Sequence, residues 1–359
     1  MALKPLVFTA ASYAYTKILP LFQSASAPES SSPTEPADIA AVCDPMTWQN
    51  MRQSQRVVSL TPKNWKETLD TSKNVKLFFC EASWSGITGN CWRGQIYKDK
   101  RVLYENRREL LRILEYCKSK AIPAVFWAKE DPAYFCDSTY DFTDTALRFD
   151  YILTTAEECI PKYNELGHTK VYLWPFGFSE DIYHPPDGQA QRERAAVFAG
   201  SWYEDHPKRC EALASIFDMI MDTDIPLKIY DRQRVKNRSP KPFPKKYQPF
   251  VRDSIPYDAL GDVYRSVEYA INVNTVSDSE TMFSRRVYEA MACGCIVISN
   301  DSAGMRRQFG QQVWFSGEEF DFGRSDEIRS SNADAVLSSH TWAKRMELLR
   351  TILETKEPK

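Results

Sequence analysis

Arg285 and Glu289 stand four apart in the run 281–300, TMFSRRVYEAMACGCIVISN. On a helix starting near Ser284 their side chains share a face, while Val287, Ala290, Met291 and Gly294 form an apolar stripe suited to packing on a sheet. A helix N-terminus carrying a fixed arginine favours phosphate. A carboxylate one turn further in can accept hydrogen bonds from a ribose diol. The same spacing equally suits a surface Arg–Glu pair, worth about 0.3–0.5 kcal/mol.

Composition removes the commonest phosphate-binding devices. The 359 residues include only 13 glycines, no two of them two apart, so there is no G-x-G-x-x-G fingerprint. Gly89 and Gly94 have P-loop spacing, but Gln95 and Ile96 follow where Lys and Ser/Thr are required. Hydrophobic residues make up 43% and charged residues 26%, as in ordinary globular chains. Lys plus Arg total 46 against 48 Asp plus Glu, a formal net charge of −2, which argues against a chain built mainly to grip nucleic acid. Nine scattered cysteines without a C-x-x-C, and four distant histidines, suit free thiols in the cytoplasm better than zinc ligation. The weakly charged start, with Lys17 interrupting its apolar run, suits a signal peptide poorly. No stretch reaches the roughly 18 apolar residues of a membrane span.

Residues 24–37, rich in Ser, Pro and Ala, read as a flexible loop. Strands are expected at 56–60, 75–80, 122–127, 151–154 and 170–174, with helices at 102–118 and 157–166. Residues 175–193 carry three prolines, two glycines and no periodicity. The pattern then restarts, with strands at 196–199, 227–230, 269–273 and 296–299. Helices alternate at 208–221, 257–266 and 284–294, and a long one closes the chain at 333–355. Alternation on both sides of a pause predicts two α/β units, each a parallel sheet covered by helices, with a cleft between them. Ligands of such sheets bind beyond the carboxyl ends of the strands.

The run 286–294, RVYEAMACG, resembles the nucleotide-sugar motif of GT-B group 1 glycosyltransferases, and more narrowly their spore maturation protein CgeB-like branch. Val197-Phe198-Ala199-Gly200-Ser201 followed by Arg209 is similar to the opening of that family's donor domain, and 171–177 (VYLWPFG) to its interdomain crossover. The turns at 79–86 (FCEASWSG) and 126–132 (FWAKEDP) resemble two more of its pieces. The resemblance, over about residues 75–350, implies two Rossmann-like domains, each a doubly wound parallel sheet, facing across a cleft. Residues 1–176 would form the acceptor side and 177–335 the donor side, with the helix of 336–359 partly crossing back.

It also implies a reaction, the transfer of a sugar from a nucleoside diphosphate to an acceptor, without cofactor or metal. Glu289 matches the glutamate on the donor ribose, and Arg285, Arg286 and Arg209 are candidates to neutralise the diphosphate. Gly200, Ser201 and Gly294 would lie where the chain passes the donor. Relatives often carry a second glutamate eight residues earlier, where this chain has Thr281. Inversion needs a general base and retention needs none. Asp131 and Glu130 come first for that role and Glu81 second, although each could instead cap a loop. Asp222-Thr223-Asp224 matches the metal motif of the other major glycosyltransferase fold but reads as a solvated turn. The basic run 232–246, with seven Lys/Arg and no acid, is a solvated loop or a patch for an anionic acceptor. A binding protein without catalysis, a nucleotide-sugar epimerase or hydrolase, and a DNA-modifying transferase are the competing readings.

Overall fold

Strands covered on both faces need apolar residues almost continuously, and Leu77–Glu81 and Ala124–Ala128 are buried throughout. The computed structural model describes residues 37–72, 74–188 and 191–355. Of the loop expected over 24–37, all but the buried Ala37 lies outside the described residues.

The chain begins with β1 (Ile39–Val42), α1 (Pro45–Ser54), β2 (Val57–Ser59), α2 (Trp65–Thr71) and β3 (Leu77–Glu81). After β4 (Lys98–Asp99) come α3 (Arg108–Ser119), β5 (Ala124–Ala128), β6 (Tyr140–Asp141), α4 (Phe142–Ala146), β7 (Tyr151–Thr154), α5 (Cys159–Glu165) and β8 (Val171–Leu173). The second half runs β9 (Glu193–Gly200), α6 (Pro207–Met221), β10 (Leu227–Asp231), β11 (Val251–Arg252), α7 (Leu260–Arg265) and β12 (Val267–Asn272). It continues with α8 (Arg286–Ala292), β13 (Ile296–Ser299), α9 (Ala303–Phe309), β14 (Val313–Phe315), α10 (Ser325–Ser339) and α11 (Trp342–Glu354).

Two six-stranded parallel sheets result, ordered β2-β1-β3-β5-β7-β8 and β11-β10-β9-β12-β13-β14. Strands β4 and β6 form a separate antiparallel ribbon. The chain reverses direction across the first sheet between β1 and β3, and across the second between β9 and β12. These switch points open a crevice at the carboxyl ends of their strands. Asp44 and Glu81 stand at the first, Gly200, Ser201 and Asn272 at the second. Both faces of each sheet carry a buried apolar layer.

Two departures from the sequence pattern have local causes. The helix expected at 102–118 starts only at Arg108. The Asn106 amide donates to the Gly94 and Tyr97 carbonyls at 2.8 and 2.7 Å and accepts from the Asp99 N–H, which locks a turn and leaves Leu103 fully exposed. The helix expected at 333–355 is two helices, because Thr341 is extended (φ −68°, ψ 158°) and its hydroxyl caps α11 at the Lys344 N–H. Strand β1 and helix α1 were not expected at all.

The two halves are joined by chain segments running side by side. Phe178 pairs with Thr341, and Arg345 donates to the Pro175, Phe176 and Ser339 carbonyls at 3.0–3.1 Å. Helix α11 packs on the first sheet through Trp342, Met346, Leu349 and Ile352. A Cβ on Gly177 would lie 2.9 Å from Arg345 Cγ, so the close approach of the segments needs glycine there.

Candidate functional site

The carboxyl edge of the second sheet gathers cations. Gly200 ends β9, and a Cβ there would meet the Phe198 ring at 2.6 Å and an Arg286 guanidinium nitrogen at 3.3 Å. Lacking one, the Arg286 guanidinium lies over the Phe198 ring, 5.3 Å from its centroid. Arg209, on the first turn of α6, is only 7% exposed; it donates to the Ser201 carbonyl at 3.1 Å and lies 4.8 Å from the Tyr203 ring. Arg232 donates to the Tyr203 hydroxyl. Among the described residues no carboxylate pairs with Arg209, Arg286 or Arg232, whereas Arg107, Arg194, Arg285 and Arg306 each have at least one. Burial first, then the like charges of Arg286 and Arg232, pull the Arg209 pKa down to about 10. It stays charged at neutral pH without an ion-pair partner among the described residues, the buried Asp231 lying opposite Gly200 at the end of β10. The Ser201 hydroxyl beside it is buried without a hydrogen-bond partner, as is that of Tyr264, which feels the charges of both Arg286 and Glu289.

Helix α8 starts at Arg286 and has seven residues, so the positive charge here comes from side chains rather than a long helix dipole. Arg285 Nε donates to Glu289 Oε1 at 2.7 Å, and the Tyr257 hydroxyl approaches the same oxygen at 3.2 Å. Glu289 is 1% exposed, its Oε1 doubly engaged, while no hydrogen bond from another described residue occupies Oε2. One oxygen orients the carboxylate, and the other is free to accept from a ligand hydroxyl.

Arg209, Arg286, Gly200 and Ser201 thus converge on one crevice, with Arg285 and Glu289 on the helix beside it. Gly294 does not join them. It follows the far end of α8 in the left-handed conformation (φ +76°), next to Arg192 at the amino edge of the sheet, where it ends the helix.

Across the cleft the sequence-expected carboxylates part company. Glu81 is fully buried. Its Oε1 accepts from the Asp44 N–H at 2.6 Å and Lys129 Nζ at 2.9 Å, and its Oε2 accepts from the Thr47 hydroxyl at 2.5 Å. Lys129 is shared with Asp44 Oδ2 at 2.9 Å, and Asp44 Oδ1 takes the Ser83 hydroxyl and the Ser85 and Gly86 N–H groups. This network holds the ends of β1, β3 and β5 together. It leaves Glu81 no access to an acceptor, so Glu81 is structural rather than a base.

Asp131 also points inward. It is 3% exposed and accepts from Thr154 Oγ1 at 2.8 Å and the Tyr163 hydroxyl at 3.1 Å, both fully buried. Burial pushes its pKa up to about 7, against the Thr154 and Tyr163 hydrogen bonds. Between the ordinary value of 3.8 and about 7 the native state binds the proton that the unfolded chain releases, so this group loses stability as pH rises through that window. Asp131→Asn is expected to raise stability at pH 8 by about 1–2 kcal/mol and to be neutral near pH 4, by denaturant melts at both values.

Glu130 differs from Glu81 and Asp131 in being less buried. It is half-buried, and no lysine or arginine pairs with it at ion-pair distance among the described residues. Burial raises its pKa, Lys129 and Trp84 oppose this, and Asp44 adds to it. Burial first, then the charges of Glu130, Asp137 and Asp205 of the second half, raise the pKa of the nearby Tyr134 phenol.

Thr281, where relatives carry a glutamate, spans the halves: its hydroxyl accepts from the Glu157 N–H at 2.9 Å and donates to the Thr155 carbonyl at 3.1 Å. Asp222-Thr223-Asp224 forms a turn at the amino edge of the second sheet, where Asp224 pairs with Arg194. In the basic run, Arg234, Lys241 and Lys246 pair with Asp253, Asp205 and Asp218. The run is therefore less cationic in space than in sequence. Sequence reasoning missed Tyr257, Asn50, Asp44 and Lys129; only Lys129 stood inside a motif, the 126–132 turn. Arg232 was visible only as one charge in the basic run.

Residues 238–351 match the family model described as Glycosyl transferase-like. No curated protein matches the chain in sequence. Among solved structures, Anabaena Alr3699/HepE in complex with UDP-glucose is similar at TM-score 0.54 and 10% identity, covering 86% of this chain and 89% of that one. The same protein with UDP and glucose gives 0.53 at 10% identity, covering 88% and 92%. A glycosyltransferase from Rickettsia africae gives 0.50 at 9% identity, covering 86% and 88%. At these identities the likeness is one of fold, and with the two doubly wound sheets it makes the architecture GT-B. Among the described residues, no helix is long and apolar enough to cross a membrane.

Proposed function

We propose that the chain is a glycosyltransferase that moves a sugar from a nucleoside-diphosphate donor to an acceptor hydroxyl in the interdomain cleft. The observation that carries this reading is the convergence of Arg209, Arg286 and Arg232, none of them ion-paired with a carboxylate among the described residues, next to Glu289, whose Oε2 has no hydrogen-bond partner among those residues. The arginines would hold the diphosphate and Glu289 the ribose diol. As the bond from the anomeric carbon to the diphosphate oxygen breaks, negative charge grows on the leaving group, where the guanidinium groups already stand. The acceptor oxygen forms the new bond, and Glu130 would take its proton.

Arginine neutralisation supports a metal-independent site, and EDTA is expected to leave turnover intact. The CgeB-like affiliation rests on the 286–294 motif. A cytoplasmic home is supported by nine unpaired cysteines. The solved relatives with UDP and UDP-glucose make UDP the first nucleotide to try. In a melting screen of UDP, GDP, TDP and their sugars, at least one is expected to raise the melting temperature by several degrees at about 1 mM. A flat response to all of them would refute the donor assignment, and donor hydrolysis or transfer in the same wells would establish turnover.

A further inference from the structure

We infer that Tyr257 is a positioning residue through which the N-terminal domain controls the Glu289 carboxylate, with Asn50 as the contact. This rests on the reading that Glu289 takes the donor ribose.

The Tyr257 phenol stands 3.2 Å from Glu289 Oε1 in its own domain and 3.3 Å from Asn50 Oδ1 on α1 of the other. Its ring has little freedom. The Arg285 guanidinium lies 5.5 Å from the centroid, Tyr183 packs against it edge-on at 5.6 Å, and the Tyr183 hydroxyl donates to the Tyr257 carbonyl at 3.3 Å. Asn50 is 2% exposed, so its amide is held where it meets the phenol. One turn further along α1, Gln53 accepts from the Ser179 hydroxyl in the connection between domains. The face of α1 bearing Asn50 and Gln53 therefore contacts the second domain, through the buried Asn50 and the more exposed Gln53.

The phenol has one proton and faces two acceptors. When Asn50 accepts it, Glu289 Oε1 keeps only Arg285. When Asn50 turns its amide nitrogen toward the phenol, it donates to the phenolic oxygen and the proton goes to Glu289. In that state Oε1 has both its partners and Oε2 is presented in a fixed direction. The arrangement of α1 against the second domain thus sets how firmly the ribose carboxylate is held, although Asn50 itself lies in the other domain.

The test is titration calorimetry with UDP, or with GDP or TDP if the parent binds that nucleotide instead, on the full chain, with the parent, Asn50→Ala, Tyr257→Phe, their double variant and Glu289→Gln. Tyr257→Phe is expected to weaken UDP binding roughly 3- to 10-fold, and Asn50→Ala, which removes the acceptor that competes for the phenol proton, to tighten it roughly 2- to 5-fold, with the double variant matching Tyr257→Phe alone, as linked contacts require. Asn50→Leu replaces Asn50→Ala if the smaller side chain unfolds the protein. Additive effects, or Asn50 variants with parental or weaker affinity while Glu289→Gln is weakened, would overturn the coupling and leave the donor reading standing. A parent that binds none of UDP, GDP and TDP, or nucleotide binding indifferent to Glu289→Gln, would overturn both.

Discussion

Replacing Arg209 by methionine is expected to lower kcat/KM about 100- to 1,000-fold while the empty protein stays folded. Arg209 combines deep burial with the lack of a carboxylate partner, and its depressed pKa records the cost of holding a cation there. Methionine keeps the apolar stem that fills the space and removes the charge. It forfeits the hydrogen bond to the Ser201 carbonyl and the stacking on Tyr203, while relieving repulsion from Arg286 and Arg232. These opposed effects should leave the nucleotide-free melting temperature within a few degrees of the parent. The nucleotide-induced rise should disappear. A residue that only supports the fold would behave in the opposite way, with a lower melting temperature and a preserved response to nucleotide.

The second large effect is expected at Glu130. Glu130→Gln should reduce kcat about 100- to 10,000-fold with donor KM nearly unchanged, because a general base acts on the acceptor proton and not on the nucleotide. A base works deprotonated, and burial raises this carboxyl above the ordinary value of 4.5. In the parent, kcat should fall as pH drops through that raised pKa, and the acid limb should be absent from the residual activity of Glu130→Gln. A kcat within about threefold of the parent would remove Glu130 from proton transfer and point to a retaining path. Asp131→Asn, in which the inward-facing neighbour changes, should keep the limb. The pair of variants therefore separates two carboxylates that adjoin in sequence but face opposite ways.

Most of the α/β alternation could be read from the chain, because strands covered on both faces need unbroken apolar runs: 151–154 and 296–299 match β7 and β13 residue for residue. Strand β1 was hidden because IAAV is four residues long and adjoins a Ser/Pro/Ala-rich stretch, and its helix α1 opens with a proline. The site divides along the same line. Arg285 and Glu289 were legible because four-residue spacing on a helix fixes a shared face. Gly294 was placed wrongly, since the motif gives no indication that the helix carries it to the opposite edge of the sheet. Asp131 and Glu81 could not be told from Glu130 by position, because which way a side chain turns at a strand end depends on distant partners such as Tyr163, Thr47 and Lys129. Tyr257 and Asn50 are 207 residues apart and belong to different domains, so no local pattern could join them.

The proposed diphosphate site consists of three arginines without carboxylate partners among the described residues. The most direct test compares the affinities of UDP and uridine in the parent and in the Arg209→Met/Arg286→Met double variant, by calorimetry at one salt concentration. In the parent UDP should bind at least about 100-fold more tightly than uridine, given the strength of charge-assisted bonds to phosphate. In the double variant that advantage should fall to within about threefold, with uridine affinity unchanged. A UDP-to-uridine ratio that survives the loss of both arginines would contradict the account.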